Sequence, residues 1–273
     1  MLISLFKKVT FFFFLLSGSI TLASNINTNE TTRSYKERQK KLNSKDVIDW
    51  LKKGNENFLS GKSNHGGYLK NLTKRRVIAS KKQKPLAVVL SCIDSRTSPE
   101  IIFDTTIGDL FVARVAGNVI NDDILGSIEI SVASGAKVIV VLGHSDCGAI
   151  KGACKGIEFG HLTQLLNRVK PSISATNLIL DNDPVLSQLI GERVVENKKY
   201  VAQISHTNAN KSREELYRRS SIIREKVDSG EVVLVSALYN VNSGLVLFDK
   251  KQGIDRSIIH SCHSDCIPGC FCR

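Results

Sequence analysis

Nowhere does this chain of 273 residues stay apolar for the ~20 residues that a membrane-spanning helix needs. The longest apolar run, Val9 to Leu16, follows Lys7 and Lys8 and gives way at once to Ser17, Gly18 and Ser19. It reads as the core of a signal peptide covering residues 1–23, cut near Ala23 or Ser24. A retained N-terminal anchor is the alternative, and no cysteine near the cut offers a lipid attachment point. The expectation is a periplasmic or secreted protein with no stable membrane insertion after cleavage. Internal repeats are also missing, which argues against a stacked array. Aromatic residues are scarce at 6%, and the basic segments Arg33 to Lys45, Lys70 to Lys84 and Arg213 to Lys226 lack the interleaved rings on which single-strand binders stack bases. Neither a helix-turn-helix nor a zinc-finger spacing is present. The net charge of +12, or +10 once Lys7 and Lys8 are removed, is therefore read as solvated helix faces, with no nucleic-acid partner.

What remains after the signal, ~250 residues, is enough to fill one hydrophobic core. Residues 24–44, polar and then basic, are expected to form a mobile or loosely helical arm, followed by a main domain over 45–253 and a tail over 254–273. Val47, Ile48, Leu51, Phe58 and Leu59 predict a helix over Lys45 to Leu59, ended by Gly61. Apolar runs predict strands over Leu86–Leu90, Leu110–Val115, Val138–Leu142 and Val232–Leu238. A fifth, Leu245–Phe248, follows too closely for a helical crossover and so is antiparallel. Pro99 starts a short helical turn. A helix over Ile124 to Ser134 is capped by Asp122 or Asp123 and stopped by Gly135. Further helices are predicted over His161–Val169, Val185–Ile204 and Glu214–Val227, the last stopped by Ser229-Gly230. This alternation defines an α/β fold: a mostly parallel central sheet of four strands plus an antiparallel edge strand, with helices on both faces.

Two short clusters carry the chemistry. Cys92-Ile93-Asp94-Ser95-Arg96 follows the first strand and His144-Ser145-Asp146-Cys147 follows the third. Two thiols and an imidazole, the second pair at H-x-x-C spacing, make a three-ligand set for zinc, and an open fourth position distinguishes a catalytic from a structural zinc site. In open α/β sheets ligands gather beyond the carboxyl ends of adjacent strands whose connections leave in opposite directions. If the first and third strands are such neighbours, Cys92 and His144 meet there. The other histidines have no partner at metal-ligand spacing: His65 in the His65-Gly66-Gly67 loop is read as solvated, and His161 and His206 as surface or satisfied side chains. Cys154 reads as a small buried thiol and Asp146 as a residue that orients its loop. Asp94 and Arg96, taken alone, would be a structural ion pair at a strand end.

Together with Gly108-Asp109-Leu110-Phe111-Val112, Arg114 to Asn118 (R-V-A-G-N), and Gly54-Asn55 and Phe58 upstream, the C-x-D-S-R and H-x-x-C motifs resemble the β-class carbonic anhydrases from about Asp46 to Lys250. The resemblance implies a zinc lyase, carbonate dehydratase, with one Zn2+ per subunit held by Cys92, His144 and Cys147. Water acidified on that zinc attacks carbon dioxide to give bicarbonate and a proton. Asp94 and Arg96 are the implied catalytic pair, the carboxylate orienting that water and the guanidinium keeping it ionised and off the metal. Gln83, Gly117 and Gly148 are implied around the substrate. A homodimer or higher homo-oligomer with its sites at the subunit interface is implied, and Gln83 would reach the neighbouring subunit's zinc.

In some relatives the aspartate matching Asp94 becomes the fourth metal ligand and closes the site, a state tied to a bicarbonate pocket that uses a tryptophan three residues before the first cysteine. Val89 occupies that position here, and Gln83 matches the glutamine of plant-type relatives, so the resemblance implies the open subtype. The same site could instead hydrolyse carbon disulfide or carbonyl sulfide, or serve a non-catalytic zinc- or bicarbonate-binding protein, against which the intact Asp94 and Arg96 argue. The tail departs from the family: Cys262, Cys266, Cys270 and Cys272, with His260 and His263, suggest two disulfides in an oxidising compartment, or a metal-binding tail as the alternative.

Overall fold

A computed structural model describes residues 37–63 and 83–249. The expected signal peptide, most of the arm, His65 and the cysteine-rich tail lie outside the described residues. The described part of the arm is docked: Arg38 pairs with Asp109 at 2.8 Å and lies over the Trp50 ring, while the buried Gln39 donates to the Pro85 and Ser134 carbonyls. Residues 37–41 are helical, one of the two forms expected of the arm. Among the described residues no helix is long and apolar enough to cross a membrane.

Helix α1, Ser44–Leu59, is closed by a capping box in which Asn43 accepts from Asp46 N and Asp46 accepts from Asn43 N. Five strands follow: β1 Ala87–Ser91, β2 Leu110–Arg114, β3 Val138–His144, β4 Val233–Tyr239 and β5 Val246–Phe248. They form one sheet in the order β2-β1-β3-β4-β5, parallel except for the antiparallel β5. Side chains alternate along the buried strands, and the sequence uses both faces. Ala87, Val89, Val138, Val140 and Leu142 pack with Val47 and Leu51 of α1. Val88, Leu90, Ile139 and Val141 point the other way, onto Ile124, Ile128 and Val132 of α3 (Asp122–Ala133). The sheet expected from the sequence is thus the sheet observed, with helices on both faces.

Several helices differ from expectation. The cap of α3 is Asn121, whose side chain accepts from Ile124 N at 2.8 Å, not Asp122 or Asp123. The short α2, Pro99–Ile102, is as expected, but α4, Gly148–Cys154, was not anticipated. The segment expected to end near Val169 continues as α5, Gly160–Asn182, straight through Pro171, and its buried Val169, Ser172, Thr176 and Leu180 explain the continuation. The helix expected over Val185–Ile204 is two, α6 Pro184–Ile190 and the start of α7, Lys198–Arg219, parted where Gly191 takes φ 78 and Asn197 caps α7. Likewise Ser220 ends α7 and caps α8, Ser221–Asp228, by accepting from Ile223 N, which splits the expected Glu214–Val227 helix.

Candidate metal centre

β1 and β3 are neighbours, with β2 on one side of the pair and β4 on the other, so connections leave them in opposite directions and a crevice opens at their carboxyl ends. Both clusters emerge there. Cys92 is the first residue past β1, and its carbonyl accepts from Arg114 Nε at 2.8 Å and Thr97 Oγ1 at 3.2 Å. Arg114 also reaches the Asp94 carbonyl, at 2.5 Å, so the last residue of β2 fixes the path of the loop. His144 is the last residue of β3, and the following Ser145 donates its amide to the Tyr239 carbonyl at 2.9 Å. Cys147 then stands at the N-cap of α4.

The side chains of Cys92, His144 and Cys147 are all buried, and their ligand atoms lie within 4.8 Å of one another. The two sulfurs are 4.0 Å apart. His144 Nδ1 lies 2.9 Å from the Ser145 carbonyl, which requires the proton on Nδ1 and leaves the Nε2 lone pair free. That Nε2 is buried with no hydrogen-bond partner, a costly state for a polar atom unless a cation sits on it. The sulfurs carry the matching charge. The Cys147 thiol, with help from His144 and the Asp94 and Gly117 amides, pulls the Cys92 thiol down to about 4 against the effect of burial. Its bond to Cys92, together with burial, pushes the Cys147 thiol well up. Two sulfurs and an imidazole converging in this way are a donor set suited to a borderline divalent ion.

Asp94 lies beside this set, with Oδ2 4.0 Å from His144 Nε2. Arg96 grips both its oxygens, Nε to Oδ1 at 2.9 Å and Nη2 to Oδ2 at 2.8 Å, and the Arg96 amide adds a third bond at 3.0 Å. These bonds hold the Asp94 carboxyl far below the usual range although burial opposes them. Gly117 completes the wall: it takes φ 67, its amide donates to Cys92 Sγ at 3.3 Å, and its carbonyl accepts from Asn208 Nδ2 at 2.7 Å.

Of the residues expected around substrate, Gly117 is therefore at the cluster. Gly148 directly follows Cys147 at the start of α4, but a Cβ there would meet nothing within 4 Å, so the packing of one chain does not demand glycine. Gln83 is exposed at the amino end of β1, the end away from Cys92, and one chain does not bring it to the metal side. His161 is exposed, and His206 is buried and satisfied by Asp249 at 2.6 Å. Cys154 is half-buried, and burial raises its thiol. The sequence reading gave no role to Asn208 or Lys151. Their partners are distant or sit in loops, and no local pattern points to them.

A cluster of two thiols and one imidazole at the switch point of a parallel sheet, with an arginine-held carboxylate beside it, is a site at which an α/β enzyme could hold a metal ion. The profile of the carbonic anhydrase family matches residues 87–246. Carbonic anhydrase 2 of Mycobacterium tuberculosis is 34% identical over 210 residues, covering 74% of this chain and 92% of its own. The carbonic anhydrase of Mycolicibacterium smegmatis is 33% identical over 212 residues, covering 75% and 93%. Among solved structures, a tetrameric β-carbonic anhydrase of Sordaria macrospora superposes with a TM-score of 0.57 at 24% identity, over 70% of this chain and 93% of that one. A β-carbonic anhydrase of Aspergillus fumigatus superposes with a TM-score of 0.57 at 19% identity, over 74% and 93%. The chain belongs to the carbonic anhydrase family, in its β class.

Proposed function

We propose that this protein catalyses the reversible hydration of carbon dioxide to bicarbonate and a proton, with one zinc ion held by Cys92, His144 and Cys147. The observation that carries the reading is the buried Nε2 of His144, without a hydrogen-bond partner, within 4.8 Å of two buried sulfurs that lie 4.0 Å apart. Zinc, when bound there, supplies a Lewis acid that makes water acidic near neutral pH. The chain's own groups do the rest. The Ser145 carbonyl fixes the His144 ring so that Nε2 is the donor atom. Asp94, kept ionised by Arg96, offers an acceptor oxygen at the mouth of the cluster, where it orients the attacking water. The Gly117 amide donates to Cys92 Sγ and favours the thiolate that would hold the metal.

The open subtype belongs to the same proposal. Val89, fully buried in the core shared with α1, offers no indole N–H for a bicarbonate pocket, and Arg96 engages both oxygens of Asp94. Gln83, exposed at the far end of its own β1, is proposed to serve the site of a neighbouring copy in a homodimer or higher assembly. The apolar stretch from Val9 to Leu16 supports export to the periplasm or beyond.

The test is stopped-flow hydration of carbon dioxide by zinc-loaded protein, with and without a chelator, beside Asp94→Asn. Activity abolished by the chelator and lowered roughly 10–100-fold by Asp94→Asn is expected. An inert zinc-loaded wild type across neutral and alkaline pH overturns the reading. Activity that collapses below about pH 8, as a carboxylate competes for the metal, refutes the open subtype alone.

A further inference from the structure

Asp146 sits between two metal-ligand candidates, contributes no ligand atom, and holds a left-handed backbone at φ 58. Asparagine, aspartate and glycine adopt that conformation most readily, so the position is built for a purpose other than chain continuity. Two of its three acceptor oxygens meet Arg96: Nη1 donates to Asp146 Oδ2 at 3.2 Å and Nη2 donates to the Asp146 carbonyl at 3.3 Å. The other edge of the same guanidinium is the one that grips Asp94. The remaining carboxylate oxygen, Oδ1, accepts from Lys151 Nζ on α4. A continuous line of charge-assisted contacts, Asp94 to Arg96 to Asp146 to Lys151, thus crosses from the loop after β1 to the loop after β3 and ends on a helix.

An arginine side chain that is 47% exposed gains little from a single ion pair, because fixing its long stem offsets the attraction. Gripping the guanidinium on two edges removes the freedom that would let it leave. We infer that Asp146, braced by Lys151, is a positioning residue for the proposed reaction: it clamps the outer edge of the Arg96 guanidinium and so keeps the inner edge on Asp94, holding that carboxylate off the metal side of the cluster. Its bearing on turnover rests on the carbonic anhydrase reading; the clamp itself does not.

The experiment compares the zinc-loaded, full-length protein with Asp146→Asn, Lys151→Met and Lys151→Arg. Asparagine tolerates the left-handed backbone and keeps the carbonyl contact while losing the charge. Solvent exchange of the Arg96 Nε–H, followed by nitrogen NMR and assigned with Arg96→Lys, is expected to quicken about tenfold in Asp146→Asn and Lys151→Met and to return towards wild type in Lys151→Arg. In the first two variants kcat/KM for hydration falls by roughly tenfold, with zinc content and Tm near those of wild type. Unchanged exchange in both variants, or unchanged kcat/KM with an active wild type, overturns the inference. A zinc-loaded wild type with no hydration activity but with exchange quickened in both variants refutes the proposed reaction and upholds the clamp.

Discussion

Gly117 meets three demands at once: a left-handed φ of 67, an amide aimed at Cys92 Sγ, and a packed surrounding in which a Cβ would come within 3.3 Å of Ala149 and Val169. Gly117→Ala combines backbone strain with a tight contact, so a loss of about 1–3 kcal/mol in urea unfolding is expected, with weaker zinc retention alongside it. At this scale the site was legible in unequal parts. Cys92, His144 and Cys147 stand in two short motifs at strand ends, which together mark them as candidate ligands, and their ligand atoms do converge. Asp94 and Arg96 are local too, two residues apart. Lys151 and Asn208 act across loops or between helices, by contacts that leave no pattern along the chain.

Helix α1 docks through Gly54, where a Cβ would stand 1.9 Å from the Phe103 carbonyl oxygen. Glycine inside a helix costs about 1 kcal/mol relative to alanine, yet Gly54→Ala is expected to destabilise by about 2 kcal/mol or more, because the backbone it would strike cannot swing aside. Calorimetry of the variant checks this. A second fastening ties β5 to α7. Burial would raise the Asp249 carboxyl, but bonds from His206, Ser236 and Asn210 bring it below its ordinary value. A lowered carboxylate contributes stability above its unfolded pKa of ~4 and loses that contribution as pH falls through the lower folded value. Asp249→Asn is therefore expected to flatten the acid limb of stability below about pH 4 and leave its slope at neutral pH unchanged, as read by urea unfolding at stepped pH. Helix lengths were the least legible elements. Pro171 looks like a stop, since an interior proline costs ~3 kcal/mol, but the buried face of α5 offsets it. Gly191 and Ser220, small residues in helix-compatible runs, turned out to be the breaks.

For the molecule as a whole, the apolar runs at strand positions announced the sheet, and the unbroken burial of β1 and β3, covered on both faces, followed from them. The metal centre sits where three loops and the N-terminus of α4 converge, so ion binding is coupled to the packing of the entire carboxyl edge. Zinc at ~1,000-fold above its Kd contributes about 4 kcal/mol by mass action, or roughly 10 °C in Tm for a domain of this size. Differential scanning calorimetry of the chelated and zinc-loaded forms measures it, and equal melting temperatures would rule out zinc as a resident ion.

Asn55 ties the first long helix to the last strand of the sheet. Its side chain donates to the Gly244 carbonyl and accepts from Val246 N, partners 189 and 191 residues further along the chain. α1 has partners on β1, β3 and the Ile102–Phe103 turn, but its fastening through Asn55 is complete only once β5 has left the ribosome. Until then β4 presents an open edge, prone to pairing with other chains. A chain stalled before Val246 is therefore expected to aggregate more readily than the full-length protein, because it lacks both the strand that covers β4 and the Asn55 fastening.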